Sequence, residues 1–276
     1  MTLNFSHNFI RLFHRRLKLP KPLVYNAAKV LLGSFGRKNK HNIIQPVYTE
    51  SAASISKQLG YLRFNQEQVI ELTEVVEDCL SLFEDKKSQF DQEFFIANPN
   101  KRFLLTLDSD ENLLKLNSIN KLLTSSFINN AISDYLASPY VLSTVRLWWS
   151  TKNDTATSSQ MFHADEEDLS QLKLFININS IGEAHGPFTF IDAGASEDVI
   201  RNSKTGKKKF TDEQITSLID QTTMHKLTGE SGSAAFVDTS RCLHYGSRSN
   251  QYDRLVLMAQ FLRLDAPLLR QSLALN

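Results

Sequence analysis

Short strands follow one another from about residue 141 onward, and they restrict the fold more than any other feature of the sequence. The stretch 141–149 is rich in β-branched and aromatic residues, and in 173–179 every second residue is apolar, which is typical of a strand with one buried face. Turns of Gly, Ser, Asn and Asp separate further predicted strands at 186–192, 233–238 and 254–262. Strands at this spacing predict a β-sandwich or a jelly-roll barrel.

Helical patterns precede the strands. Residues 64–84 carry apolar side chains at helical spacing after a capping Asn65, and residues 111–137 repeat that spacing. We interpret residues 50–140 as a helical scaffold and residues 141–266 as the core, so the predicted fold is mainly β with flanking helices.

A His-x-Asp tripeptide, His163 and Asp165, stands where a strand is predicted to start, and His244 ends another predicted strand. Residues two apart on a strand point to the same face, so the imidazole and the carboxylate are expected to point together. Two histidines and one carboxylate on one face of a metal form the facial triad of non-haem Fe(II) oxygenases. Such a tripeptide also arises by chance on surface strands, so the interpretation depends on its context.

Arg254 begins the last predicted strand, shortly after His244. In a rolled sheet, adjacent strands are expected to bring these two residues side by side. A buried arginine needs an anionic partner, because leaving one half of a buried ion pair costs roughly 3–5 kcal/mol, and a bidentate carboxylate ligand meets that need. The alternative is that Arg254 pairs with Asp253 or another acid of the chain.

Four stretches occur in a fixed order: HADEEDLSQLKLFININ from His163, EAHGPFTFIDAGAS (183–196), TGESGSAAFVDTSRCLHYGS (228–247) and the strand from Arg254. Together they resemble the phytanoyl-CoA dioxygenase-like family of Fe(II)/2-oxoglutarate oxygenases. More weakly, ISKQLGYLRFNQEQVIEL (55–72) resembles the opening helix of that family.

The resemblance implies a dioxygenase domain over residues 50–276, with a double-stranded β-helix, the cupin-like form of the jelly roll. It implies that His163, Asp165 and His244 bind Fe(II) and that Arg254 binds the distal carboxylate of the cosubstrate 2-oxoglutarate. The implied reaction consumes O2, releases succinate and CO2, and hydroxylates the substrate. Hydroxylation is favoured because halogenating relatives lack the carboxylate that Asp165 provides.

Two further residues are assigned to the cosubstrate. Many relatives carry a serine two residues after the distal histidine, whereas here Gly246 occupies that position and Ser247 follows, so Ser247 is the candidate. Arg146, on the predicted strand before the triad, either reaches cosubstrate or substrate or forms a structural ion pair. Arg248 is a rival of Arg254 for the carboxylate, although arginines in turns are usually solvated.

Other polar residues give weaker signals. Lys173 and Asn177 lie on the face of their strand opposite the apolar residues and are minor pocket candidates. His185 and His225 have no partner at ligand spacing and are predicted to lie on the surface. The basic insertion 198–213 is predicted to be a solvated loop, with a lid over a charged substrate as the alternative.

Charge is unevenly distributed along the chain. Residues 1–49, the basic arm, contain nine Lys or Arg and no acid, whereas the remaining body contains 22 basic and 30 acidic residues, a balance of −8. Residues 5–17 predict a basic amphipathic helix that ends before Pro20 and Pro22, and an apolar segment follows at 23–32. The arm is expected either to contact a membrane surface or an acidic partner through residues 1–40, or to dock on its own acidic body.

Two features of the sequence bear on the cellular compartment. The chain has only two cysteines, in no C-x-x-C pattern, and it has no apolar run long enough to span a membrane. These features favour a reducing cytoplasmic environment, with peripheral membrane contact through the arm. Nucleic acid is not an expected partner because the body is acidic. The substrate class is limited to a small molecule or a carrier-bound group, and the alternative function is a non-catalytic binding or scaffold protein that retains the fold.

Overall fold

The computed structural model describes residues 8–17, 19–34, 42–46, 54–91, 93–94, 103–156, 158–203, 209–267 and 273–275. Residues 1–7 of the basic arm and 204–208 of the insertion lie outside these ranges, and parts of the sequence predictions fall there. The α-helices of the described residues are α1 (Lys21–Ser34), α2 (Glu71–Lys86), α3 (Glu111–Leu114), α4 (Asn117–Thr124), α5 (Ser126–Leu136), α6 (Ala193–Asn202) and α7 (Asp212–Thr216). A π-helical segment, Arg11–Arg16, precedes α1.

Two antiparallel sheets make up the core. The strands are β1 (Tyr61–Phe64), β2 (Leu105–Ser109), β3 (Tyr140–Ser150), β4 (Phe162–His163), β5 (Gln171–Asn177), β6 (Thr189–Ile191), β7 (Lys209–Phe210), β8 (Met224–Lys226), β9 (Ala234–Val237), β10 (His244–Tyr245) and β11 (Arg254–Arg263). The major sheet has the order β1-β9-β5-β11-β3-β2, and the minor sheet has the order β7-β4-β10-β6-β8. This is a double-stranded β-helix with flanking helices, as predicted.

Strand alternation divides the side chains of the major sheet between two apolar cores. On the outer face, Leu174, Ile176 and their neighbours pack beneath α2, α4 and α5 in the larger core. On the inner face, Phe175 and Met258 pack with Phe190 of the minor sheet. The outer core fixes the sheet to the helical scaffold, and the inner core sets the distance between the two sheets.

The predicted helices exist, but their boundaries differ from the prediction. The helix predicted over 64–84 begins at Glu71 because Phe64 pairs with Ala234 in the major sheet and Asn65 accepts a hydrogen bond from the Glu67 amide in a preceding turn. The helix predicted over 111–137 is three helices. It is broken at Leu116 and Ser125, both with extended backbone, and the Ser125 side chain caps α5.

The prediction that 198–213 is a solvated loop is wrong for its described part. Helix α6 continues to Asn202, and β7 pairs with β4 beside the site. Phe210 and Val199 are buried together with Phe162 in a separate small core. These apolar side chains, spaced among the basic residues, hold the segment on the body.

The described part of the basic arm docks on the body. Val24 and Tyr25 of α1 are buried with Ile10 in a small apolar cluster. Lys21 Nζ donates to the Asp165 carbonyl at 2.8 Å, and Lys29 Nζ lies 2.7 Å from the Asp168 carboxylate. No helix among the described residues is both long and apolar enough to cross a bilayer.

We predict that Ile176→Ala lowers the free energy of unfolding by about 2–5 kcal/mol, because Ile176 is 1% exposed and its removal leaves a cavity in the outer core. Ile70→Ala is the matched control, since Ile70 is 74% exposed and should change stability little. Chemical denaturation of both variants measures the difference. Equal losses would contradict the placement of β5 against the helices.

Candidate metal centre

Three side chains from distant segments converge between the sheets: His163, Asp165 and His244. One ligand atom from each lies within 4.8 Å of the other two. His163 Nε2 is 3.9 Å from Asp165 Oδ1, and His244 Nε2 is 3.8 Å from Asp165 Oδ2. The structure therefore brings together all three residues that the sequence singled out as a triad.

The route to this convergence differs from the prediction. His163 ends β4, but Asp165 lies beyond the strand. Its backbone amide donates a hydrogen bond to the Thr239 carbonyl at 2.8 Å. His244 does not end β9; it begins the separate strand β10 of the minor sheet, where it is the direct partner of His163. Strand pairing thus aligns the imidazoles, and a turn rather than strand alternation directs the carboxylate toward them.

The backbone orients both imidazoles in the same way. His163 Nδ1 lies 2.8 Å from the Met161 carbonyl, and His244 Nδ1 lies 3.0 Å from the Cys242 carbonyl. A carbonyl oxygen can only accept a hydrogen bond, so each Nδ1 carries the ring hydrogen and donates it, and each Nε2 presents a lone pair toward Asp165. Metal-binding histidines in proteins usually have this arrangement, with the second nitrogen bonded to a carbonyl or carboxylate.

The Asp165 carboxylate is held by polar groups of the major sheet and the β9–β10 turn. Lys173 Nζ lies 2.7 Å and Gln171 Nε2 lies 3.1 Å from its Oδ2, and Gln171 also donates to Thr239 Oγ1 at 2.9 Å. Burial opposes ionisation, but the Lys173 ammonium outweighs it and holds the pKa of Asp165 well below its usual range. The carboxylate is therefore ionised at neutral pH.

The imidazole of His244 is neutral at physiological pH. Burial, together with the adjacent His163, lowers the pKa of His244 to about 3 despite the opposing influence of Asp165. A neutral imidazole with a free Nε2 is the form that binds metals.

The donor set fits a divalent metal ion. It provides two imidazole nitrogens and one ionised oxygen, all within 4.8 Å of one another. The combination of two histidines and one carboxylate is the ligand set of non-haem iron sites.

Arg254 is 2% exposed at the start of β11. Its Nη1 donates to the Gly186 carbonyl at 3.0 Å, and burial lowers the pKa of the guanidinium to about 10. Asp253 does not pair with it, since the Asp253 carboxylate accepts from the Trp149 indole. Among the described residues, no carboxylate lies within ion-pair distance of Arg254, so its buried charge is not neutralised by this part of the chain.

The expectation that His244 and Arg254 lie on adjacent strands is wrong, because β10 and β11 belong to different sheets. Arg254 donates to the carbonyl of Gly186, two residues before Phe188, and the Phe188 ring centroid lies 5.5 Å from that of His244. The arginine and the distal histidine therefore come from opposite sheets and not from paired strands.

The remaining candidates have different environments. Arg248 binds the Asp212 carboxylate through one terminal nitrogen at 2.7 and 2.8 Å and stacks on the Tyr245 ring, so it is already paired. Ser247 is buried and donates to Asn250 Oδ1. Arg146 is exposed, on the same face of the major sheet as Met258, its partner in β11. The roles of Arg146 and Ser247 toward a cosubstrate stay predictions.

Several polar residues are more buried or closer to the site than the sequence predicts. His185 and His225 are half-buried rather than on the surface, and His225 pairs with Asp192 at 2.7 Å. Lys173, a minor pocket candidate, is the closest charged partner of Asp165 in the major sheet. Gln171 was missed, although it lies two residues before Lys173 on the same face and the alternation could have been extended to it.

A cavity of about 590 Å³ lies beside the triad, between the arm and the body. Asp165 lines it, as do Lys21 and Leu19 of the arm and Ile200 and Phe210 of the body. The cavity reaches the triad from the side of the Asp165 loop.

Comparison with solved structures identifies the fold. The structure of EctD from S. alaskensis with bound Fe matches with a TM-score of 0.54 at 12% identity, covering 84% of this chain and 85% of that one. EctD with 2-oxoglutarate and 5-hydroxyectoine matches with a TM-score of 0.52 at 12% identity, covering 86% and 93%. The α-ketoglutarate-dependent epimerase SnoN has a TM-score of 0.48 at 15% identity, covering 75% and 80%, and adds nothing to the assignment. No protein-family model matches the chain, and no curated protein matches it in sequence.

We predict that Gln171→Leu weakens divalent metal binding about 10- to 100-fold, because the orientation of Asp165 depends on the amide of Gln171. Gln260→Leu is the matched control, since Gln260 Nε2 donates to Gln171 Oε1 at 3.4 Å and makes no hydrogen bond to the triad within the described part of the chain. Calorimetric titration with Mn(II) measures both affinities. If both variants bind as the wild type does, the amide does not position the carboxylate.

Proposed function

We propose that this chain is an Fe(II)- and 2-oxoglutarate-dependent dioxygenase that hydroxylates a small-molecule or carrier-bound substrate, with release of succinate and CO2. The observation that carries the proposal is the convergence of His163, Asp165 and His244 in a double-stranded β-helix. The buried Arg254 supports it independently, because a buried guanidinium that no carboxylate of the described residues neutralises requires an anion. The EctD structures, crystallised with Fe and with 2-oxoglutarate, have the same fold.

In this proposal, His163 and His244 would hold Fe(II) through Nε2 and Asp165 would hold it through its carboxylate. When bound there, the metal would supply the O2 and 2-oxoglutarate chemistry of this class of oxygenase. Arg254 binds the distal carboxylate of 2-oxoglutarate by charge-assisted hydrogen bonds. Arg146 and Ser247 are proposed as further cosubstrate or substrate contacts.

The apolar interior has a protective role. Phe188 stacks on Phe175 with ring centroids 4.0 Å apart and also contacts His244. These rings exclude water from one side of the triad, which strengthens electrostatic interactions there and limits side reactions. Lys173 forms an ion pair with Asp165, holds its carboxylate in place and supplies positive charge beside the triad.

The alternative is a non-catalytic binding or scaffold protein that retained the fold. A measurement of succinate separates the two functions, and it also detects turnover that yields no hydroxylated product. The proposed enzyme should form succinate from 2-oxoglutarate only with Fe(II) and O2, and His163→Ala should abolish it. Binding of iron and 2-oxoglutarate without any succinate would favour the alternative.

A cytoplasmic location is part of the proposal. Cys79 and Cys242 are both buried and unpaired, which is typical of proteins in a reducing compartment. Burial raises the pKa of the Cys79 thiol to about 12, so this thiol is unreactive at neutral pH.

We predict that Arg254→Gln weakens 2-oxoglutarate binding by roughly 10- to 100-fold, because hydrogen bonds to a charged group are worth about 1.5–3 kcal/mol. The metal affinity should be unchanged. Anaerobic titration, followed by the charge-transfer absorbance of the Fe(II)–2-oxoglutarate complex, measures cosubstrate binding.

Arg248→Gln is the matched control, because Arg248 already binds Asp212. It should leave the 2-oxoglutarate affinity close to that of the wild type. A larger loss in Arg248→Gln than in Arg254→Gln would assign the carboxylate to the rival arginine and overturn the role given to Arg254.

A further inference from the structure

Helix α1 has apolar residues on two faces. Its inner face buries Val24, Tyr25 and Ala28 against the body. On the outer face, Leu23, Ala27 and Val30 follow one another at helical spacing, and Leu23 and Val30 are 60% and 69% exposed. The docking of α1 therefore uses one face of the helix and leaves the other in solvent.

Exposed apolar residues also occur in the segment before α1. Leu12 and Leu17 are 44% and 58% exposed. We define the arm face as the four exposed residues Leu12, Leu17, Leu23 and Val30. Single exposed apolar residues are common, but four within one short segment are of the kind that binds partners or membranes.

The charge of the same segment indicates what the arm face contacts. Residues 1–49 contain nine Lys or Arg and no acid. Lys21 and Lys29 are bonded to the body, whereas Arg16 is exposed within the arm face segment. The body has a net charge of −8. An anionic surface therefore attracts the arm and repels the body, which orients the molecule with the arm toward that surface.

We propose that the arm face docks on an anionic lipid bilayer surface, with its leucines in the interfacial region and the exposed Arg16 near the headgroups. Exposed apolar residues beside cations are the features by which interfacial helices bind such membranes. A second copy of this chain fits less well, because symmetrical pairing would bring two arms of nine cations each together. This proposal does not depend on the proposed catalytic function.

Vesicle flotation of the full chain tests the proposal. The protein should float with vesicles of phosphatidylcholine and phosphatidylserine, float far less with phosphatidylcholine alone, and lose binding as salt increases. The double variant Leu23→Ser, Val30→Ser should reduce partitioning about tenfold or more, since two apolar side chains no longer enter the interface.

The matched control is the double variant Ile70→Ser, Leu218→Ser, which removes two exposed apolar residues, 74% and 49% exposed, from the body. It should bind within about twofold of the wild type. Circular dichroism and thermal unfolding verify that both variants are folded.

Three results would overturn the proposal. The first is no flotation with anionic vesicles, and the second is flotation that Leu23→Ser, Val30→Ser leaves unchanged. The third is preferential binding to another occupant through the same residues. A second copy is the occupant if light scattering shows a dimeric wild type and a monomeric variant. An acidic protein partner is the occupant if polyglutamate binds the protein more tightly than anionic vesicles do and displaces them.

Discussion

The ionised carboxylate of Asp165, enclosed between two sheets, is the group around which the other polar contacts of the site are arranged. A buried carboxylate is stable only if cations or hydrogen-bond donors compensate for its lost hydration. Lys173 and Gln171 provide this compensation from the major sheet, and the two histidines of the minor sheet face it with their lone pairs. The site therefore exists only when both sheets are in place.

The basic arm is connected to the same group. Lys21 bonds to the carbonyl of Asp165, and Lys29 pairs with Asp168 three residues further along the loop. Burial lowers the pKa of Lys21, in opposition to the surrounding acids. Helix α1 therefore carries part of the arm face and also makes the contacts that hold the Asp165 loop.

Much of the fold was predictable because strand alternation is local. The inward Phe175 and the outward Leu174 and Ile176 follow directly from the two-residue period of β5. Helix boundaries were less predictable, since the start of α2 depends on the pairing of Phe64 with a strand far along the chain. The insertion was misjudged because burial of Phe210 depends on a neighbouring strand, β4, that composition does not reveal.

The sequence by itself determined the chemistry: two imidazoles, one carboxylate and one arginine, in an order and context that point to a single kind of site. Only the tertiary structure decided how they meet. His163 and His244 meet by pairing of two short strands, Asp165 is directed by a turn bonded to Thr239, and Arg254 lies on the opposite sheet. Residue types carry reactivity, but the distances between them result from long-range pairing and burial, which no local pattern encodes.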